Sequence, residues 1–365
     1  MGQCLHSIGR GEMTRPAFPL MIYCVDGPEE MRECAEMGFN TTWYGPLAEE
    51  ERHGLYMVAR GDQTLPERFW IANFIMDKPD FYTNLADGTL KYPPEWVQEQ
   101  HEKAKREYPD VPTIVFLSGL VSDDLTRQFL ETDVDIIALD WCRRNSQRPI
   151  SLLPPLMRRF RELGLGSRPL WVILQVGASN MEAASSWENR ALTHMALVHG
   201  AGGLGWWAYR YATHYDDTGT ATAVLVKDAH PALWASIRRS CAEVNQMQSA
   251  LAATAYVPPS IAGTVAYREI CDDRYHWLLA VEEHGVAQFP TMTLHVPLGA
   301  PAEYEVRVLT EARNVKVCKG THGLEIQDGF IPYEAHAYCL RMKQAGEGSS
   351  TVPSAVPGLG KGGYF

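Results

Sequence analysis

The strongest constraint on this chain is a change in the period of its hydrophobic pattern. From residue 17 to about residue 250, apolar runs of strand length alternate with amphipathic stretches of helix length, the order expected when parallel strands are joined by helical crossovers. The strand candidates are "AFPLMIYCV" (17–25), "FNTTWY" (39–44), "GLYMVA" (54–59), "FWIANFIM" (69–76), "PTIVFLS" (112–118), "VDIIALD" (134–140), "PLWVILQ" (169–175) and "GLGWWAY" (203–209). Eight such units close into a (β/α)8 TIM barrel of about 250 residues. Between them, "GPEEMRECAEMG" (27–38) carries acids in its first turn and a glycine stop. "PPEWVQEQHEKAKREY" (93–108) opens on prolines, where a missing N–H costs least. "SLLPPLMRRFRELG" (151–164) and "SSWENRALTHMALVHG" (185–200) each close on glycine, and a last helix covers roughly 228–251.

After about residue 255 the period becomes two. "GTVAYREI", "YHWLLAVEE", "PTMTLHVPL", "YEVRVLT", "NVKVCKG", "LEIQDG" and "HAYCLRM" are short, alternating and separated by turn residues, the pattern of a small all-β sandwich. The expected organisation is an N-terminal segment (1–16), a barrel (17–252), a β-sandwich (253–343) and a Gly/Pro/Ser-rich tail (344–365). Such a tail is either flexible or held by an assembly partner or a second copy of the chain.

Composition narrows the ligand. The chain has 33 Lys+Arg against 44 Asp+Glu, a net charge of −11, and no long basic run, which argues against nucleic acid or an anionic membrane as partner. No run approaches 18 apolar residues and the N-terminus lacks a signal-peptide pattern, so neither membrane spanning nor export is expected. "MGQCLHS" fails the myristoylation pattern at His6, and the compartment stays open. The eight cysteines have no metal spacing and read as reduced core thiols. His194 and His199 lie in a helical pattern without a metal-ligand partner, so no metal and no cofactor is expected. The glycines of "GAGGLG" (200–205) precede a strand, where a dinucleotide loop would follow one, and read as a helix stop and tight turn.

In a barrel the active face is formed at the C-terminal ends of the strands. The polar and aromatic residues there are Asp26, Trp43, Tyr44, Arg60, Asp77, Lys78, Asp140, Trp141, Gln175, Tyr209 and Arg210, with His214, Asp216 and Asp217 in the loop "YATHYDD" (211–217). Aromatic rings among carboxylates, amides and guanidiniums suit a sugar, because ring faces cover its apolar face while polar groups bond its hydroxyls. One of Trp206 and Trp207 must face away from the barrel interior, since alternate strand residues point to opposite faces.

"MGFNTTWYGP", "FWIANFIMDKPDFY", "DVDIIALDW", "LWVILQVGA" and "ALTHMALVHGAGGLGWWAY", in that order, resemble (β/α)8 proteins related to the retaining glycoside hydrolases, in which a β-sandwich commonly follows the barrel. The resemblance implies carbohydrate as ligand, with a general acid/base at the end of strand 4 and a nucleophile at the end of strand 7. Relatives often read Asp-Glu-Pro at strand 4. Here the matching residues are Asp77, Lys78 and Pro79, and the strand-7 position is Gln175. Retaining hydrolysis needs two carboxyl groups about 5–5.5 Å apart, and neither an ammonium nor an amide can replace them. Three readings follow. A glycosidase could recruit Asp77, Asp140 or an acid at 216–217. A catalytically silent barrel could bind glycan, with Lys78 paired to Asp140 or Asp77. A lyase could use Lys78 as a Schiff-base nucleophile.

Overall fold

The structure, a computed structural model, describes residues 15–43, 48, 52–61, 66–83, 87–141, 149–177, 183–215, 221–273, 275–295, 304–311, 313–315, 317–320 and 323–342. Tyr44, Asp216, Asp217 and the tail 344–365 lie outside them.

Eight parallel strands close into a barrel: β1 (Leu20–Ile22), β2 (Thr41–Trp43), β3 (Tyr56–Ala59), β4 (Trp70–Asp77), β5 (Thr113–Leu117), β6 (Ile136–Trp141), β7 (Leu170–Gln175) and β8 (Gly203–Trp207). Closure is by β1 on β8, with Met21 opposite Gly205. Each strand falls within or across one of the apolar runs read from the sequence, because strands covered on both faces must be apolar nearly throughout.

Alternate residues of these strands separate into two cores. Met21, Val58, Phe74, Ile114, Phe116, Ala138, Trp171 and Ile173 fill the barrel interior. Leu20, Ile22, Leu117, Leu139, Trp141, Leu174 and Trp206 pack outward against the helices. Gly203 and Gly205 belong to β8 and make room inside it. A Cβ on Gly203 would lie 2.9 Å from the Trp171 ring, and one on Gly205 would lie 2.7 Å from Ile173 Cδ1. Only Gly200 fits the helix-stop reading of this run, at φ 79°.

The outer layer comprises α1 (Pro28–Met37), α2 (Pro94–Glu107), α3 (Asp123–Leu130), α4 (Leu153–Phe160), α5 (Ser186–Val198), the short α6 (Val226–Ala229) and α7 (Pro231–Ala253). The stretch expected as a loop at 211–217 begins as a strand. β9 (Arg210–Tyr215) pairs antiparallel with β10 (Ala221–Leu225), forming a hairpin between β8 and α6. Tyrosine and threonine on one arm and threonine and valine on the other favour this pairing.

The β-domain contains two antiparallel sheets. In the larger, β11 (Ser260–Ala262), β12 (Val265–Cys271), β13 (His276–Glu282), β19 (Ala335–Met342), β15 (Tyr304–Val308) and β16 (Arg313–Asn314) lie in that order. The smaller runs β14 (Thr291–Leu294), β18 (Leu324–Gln327), β17 (Val317–Lys319). Val265, Tyr267, Leu278, Met292, Leu294, Ile326 and Tyr338 fill the space between them, making a sandwich.

The outer face of the larger sheet is also covered. Ala266, Ile270, Trp277, Leu279, Val281 and Ala337 join the core that contains α5 and α7. Helix α5 is buried along its length from Ala191 to Val198, as expected of a helix apolar on all sides and enclosed between a barrel and a sheet. A buried ionic group fixes this junction. Glu243 of α7, 1% exposed, accepts two hydrogen bonds from Arg190 of α5, at 2.7 and 2.8 Å, and one from Thr310 after β15 at 2.6 Å. His194 lies 3.4 Å from the same carboxylate.

Candidate functional site

The C-terminal ends of the barrel strands open into a cavity of about 610 Å³. Its aromatic part comes from strand alternation. Tyr23, Trp43, Phe74, Phe116 and Trp207 each continue the inward-facing set of their strand. Trp43 stacks on Tyr23 with ring centroids 4.8 Å apart and meets Phe74 edge-on at 4.5 Å. Rings held in this way lose little freedom when a ligand packs against them.

The polar part begins at the end of β4. Pairing with β5 slips between Phe74 and Met76, a bulge that changes which side chains face inward. Lys78 then adopts a left-handed backbone, φ 48°, a conformation uncommon for a residue with a side chain. Met76, Asp77 and Lys78 all line the cavity as a result. The Lys78 amide donates to Phe116 O at 2.9 Å, and its carbonyl accepts from the Phe81 amide at 2.9 Å. Asp80, 3% exposed, secures the turn by accepting from the Ser118 amide at 3.0 Å and the Ser118 hydroxyl at 2.7 Å.

The Lys78 ammonium lies 2.5 Å from Asp140 Oδ2 and 3.5 Å from Asp77 Oδ2. Those two sides bound the third side of the triangle, so the two carboxylate oxygens are at most about 6 Å apart. Burial raises the Asp77 pKa above the ordinary carboxylate value, the Lys78 charge opposes that rise, and the Asp140 charge adds to it.

Two further cations line the cavity. The Arg60 guanidinium lies 5.4 Å from the centroid of the Phe74 ring. Arg210 is paired with Glu30 of α1 and approaches Asp26 at 3.7 Å. Tyr211 adds a wall, and its hydroxyl is hydrogen-bonded to His230 Nε2 at 2.5 Å.

Asp26, Trp43, Arg60, Asp77, Lys78, Asp140 and Arg210 therefore meet in one cavity. Trp141 and Tyr209 do not. Trp141 follows inward-facing Asp140, so alternation sends it outward, where it is fully buried beneath the helices. Tyr209 is fully buried as well and donates to Glu33 of α1 at 3.0 Å. Gln175 shares the inward parity of Trp171 and Ile173 but is 6% exposed and is not among the cavity-lining residues. His214 sits on β9 opposite Thr222. His199 is a packing residue, 2.6 Å from Glu283. Tyr23, Phe74 and Phe116 are cavity residues that the strand-end list does not contain, although the period-two rule extended along each apolar run places them inside, and of the Trp206/Trp207 pair it is Trp207 that faces the cavity. Asp80 carried no such signal, because its partner Ser118 lies just after β5, 38 residues away.

Among the described residues, no group of His, Cys, Asp and Glu has the arrangement to hold a metal ion, and no helix is long and apolar enough to cross a membrane. Cys24, Cys34, Cys241, Cys271 and Cys318 are free thiols.

No protein-family model matches the chain, and no curated protein does. Solved structures do. An α-amylase from Anoxybacillus superposes over 90% of this chain and 99% of its own, at 11% identity and a TM-score of 0.57. A family 30 subfamily 8 xylanase from Clostridium acetobutylicum covers 89% of this chain and 95% of its own, at 8% identity and 0.49. A GH30 endoxylanase from Clostridium papyrosolvens covers 91% and 98%, at 10% identity and 0.47. The α-amylase shares the fold of this chain. At these identities the likeness concerns the fold, and chemistry has to be argued from the site.

Proposed function

We propose that the barrel mouth is a carbohydrate-recognition site whose ion triad favours binding over hydrolysis. The observation behind this reading is the position of Lys78, with its ammonium against Asp140 and within reach of Asp77. A cation so placed opposes protonation of Asp77, against the effect of burial. Ionised carboxylates accept hydrogen bonds from sugar hydroxyls well, whereas hydrolysis needs one of them to deliver a proton to a leaving oxygen. The stacked Trp43 and Tyr23 supply a surface for the apolar face of a pyranose. Asp26, Arg60 and Arg210 at the rim would bond its hydroxyls.

One observation favours a second reading, hydrolysis by Asp77 and Asp140. Their oxygens are at most about 6 Å apart, compatible with a retaining pair. The raised pKa of Asp77 also suits it to the role of proton donor. The Schiff-base alternative for Lys78 lacks support, because its amino group is engaged by Asp140 and Asp77 and a Schiff-base lysine needs a free amine.

A glycan-array screen followed by product analysis on every bound glycan separates the two. The expected result is saturable binding with no released sugar, weakened in Asp140→Asn. Turnover abolished by Asp77→Asn would establish the hydrolytic reading instead. Absence of binding to any glycan would overturn both.

A further inference from the structure

A second cavity lies at the opposite end of the barrel. Its volume is about 280 Å³, and its lining includes Pro169 ahead of β7, Gly200 ahead of β8, Tyr256 after α7, and Arg161, Arg168 and Arg268. Three guanidiniums in so small a space require an explanation.

Arg168 has a structural one. Its nitrogens donate to the carbonyls of Thr132 at 2.7 Å, Val134 at 3.2 Å and Leu165 at 3.2 Å, and also to Leu130. Arg268 and Arg161 are satisfied only in part. Arg268 extends from β12 under the barrel and is 4% exposed. Its Nη atoms donate to Leu197 O at 3.2 Å, Thr254 O at 3.2 Å and Ala255 O at 3.4 Å, while its Nε is buried with no hydrogen-bond partner among the described residues. Arg161, in the turn that follows α4, donates from Nη2 to Gly200 O at 2.7 Å, lies 3.6 Å above the Tyr256 ring, and has a buried Nε in the same condition.

Among the described residues, no carboxylate is a cause of the shift at either group. Burial is the main cause that pushes the Arg268 pKa down, to about 10, and the next is the positive charge of Arg161. Arg161 is lowered by burial as well, and only Tyr256 opposes the change. Two neighbouring cations removed from water with no carboxylate partner among the described residues are an unfavourable arrangement. The carbonyls at the C-terminal end of α5 supply only a partial negative charge.

We infer that this pocket is an anion site, in which Arg161 and Arg268 together hold a small oxyanion of the phosphate type. Guanidinium groups recognise such oxygens through N–H donors, and each residue has a buried Nε without a partner among the described residues. The volume equals that of roughly nine waters, enough for a phosphate with its nearest waters and too little for a glycan chain. The site is separate from the sugar-recognition reading of the mouth.

Titration of the full-length chain with inorganic phosphate by calorimetry, with sodium chloride at matched ionic strength as control, tests this. Phosphate is expected to bind saturably and to raise the melting temperature above the chloride control. Arg161→Gln is expected to weaken phosphate binding at least tenfold, and Arg161→Lys, which keeps the charge without the fork, to weaken it in part. Arg161 variants carry the test because Arg268→Gln, at a buried position between barrel and sandwich, can fail by unfolding. Phosphate acting no differently from chloride, or binding undiminished in Arg161→Gln, overturns the proposal. Loss of phosphate binding in Lys78→Met would put the anion at the mouth and overturn it too.

Discussion

Replacing Lys78 with methionine removes the charge from the centre of the triad while keeping an unbranched side chain. At an effective dielectric of about 20, a unit charge 3.5 Å from Asp77 Oδ2 is worth roughly 5 kcal/mol. The Asp77 side chain is 44% exposed, so solvent screening reduces this to the range of exposed ion pairs, about 1 kcal/mol. Loss of that attraction, with Asp140 left beside it, moves the Asp77 pKa further in the direction burial already drives it. The sign of the stability effect follows. A carboxyl group whose pKa is higher folded than unfolded stabilises the fold at low pH, and that contribution disappears as pH rises from the unfolded value, about 3.9, through the folded one. Lys78→Met should therefore be close to wild type in stability at about pH 3.5 and lose ground steadily above it. Urea unfolding across that range, together with carbon-detected NMR titration of the Asp77 carboxyl, measures both quantities. An Asp77 titration that is unchanged, or moved to lower pH, would refute the argument that Lys78 opposes protonation of this group.

Trp43→Ala should weaken glycan binding at least tenfold, about 1.4 kcal/mol, with little change in the far-ultraviolet circular dichroism spectrum; isothermal titration checks it, and equal affinity would remove the ring from the site. Glu243→Ala leaves Arg190 and Thr310 without their shared acceptor at the junction of barrel and sandwich. The cost expected from denaturant unfolding is about 3–5 kcal/mol. Gly205→Val places methyl groups where Ile173 Cδ1 and Met21 Cε already lie within 2.7 and 3.0 Å of a Cβ, so an overpacking loss of about 1–3 kcal/mol should appear as a lowered melting temperature.

The sandwich has its own pH response. His336 bonds Asp328 at 3.1 Å, and Asp328 also accepts from Arg313 and from Tyr338. Burial works against charge on His336, yet its bonds to Asp328 and Glu334 prevail and its pKa is raised. That contribution is complete below about pH 6.5 and lost as pH climbs through the raised value. Burial likewise works against the Asp328 charge, but the His336, Arg313 and Tyr338 bonds hold its pKa well below the carboxylate range, so its share is lost only in acid. His336→Gln should flatten the alkaline side of the stability profile and leave the acid side in place.

The sequence by itself determined the barrel, the sandwich and their order, because burial on one face or two writes a period into the chain that needs no tertiary contact to be read. It also placed Asp77, Lys78 and Asp140 at strand ends, and alternation would have sent Trp141 outward had it been applied beyond Trp206 and Trp207. Tertiary structure decided the rest. The bulge in β4 and the left-handed backbone at Lys78 turn three consecutive residues toward one cavity, against the period of two. Asp80 reaches Ser118 and Arg268 reaches Leu197 across 38 and 71 residues, separations at which a residue's type says nothing about its partner. "FIMDKPDFY" displays a lysine beside an aspartate; only the closed barrel brings Asp140 to within 2.5 Å of that lysine, because an ion pair forms through space between strands whose spacing along the chain does not encode it.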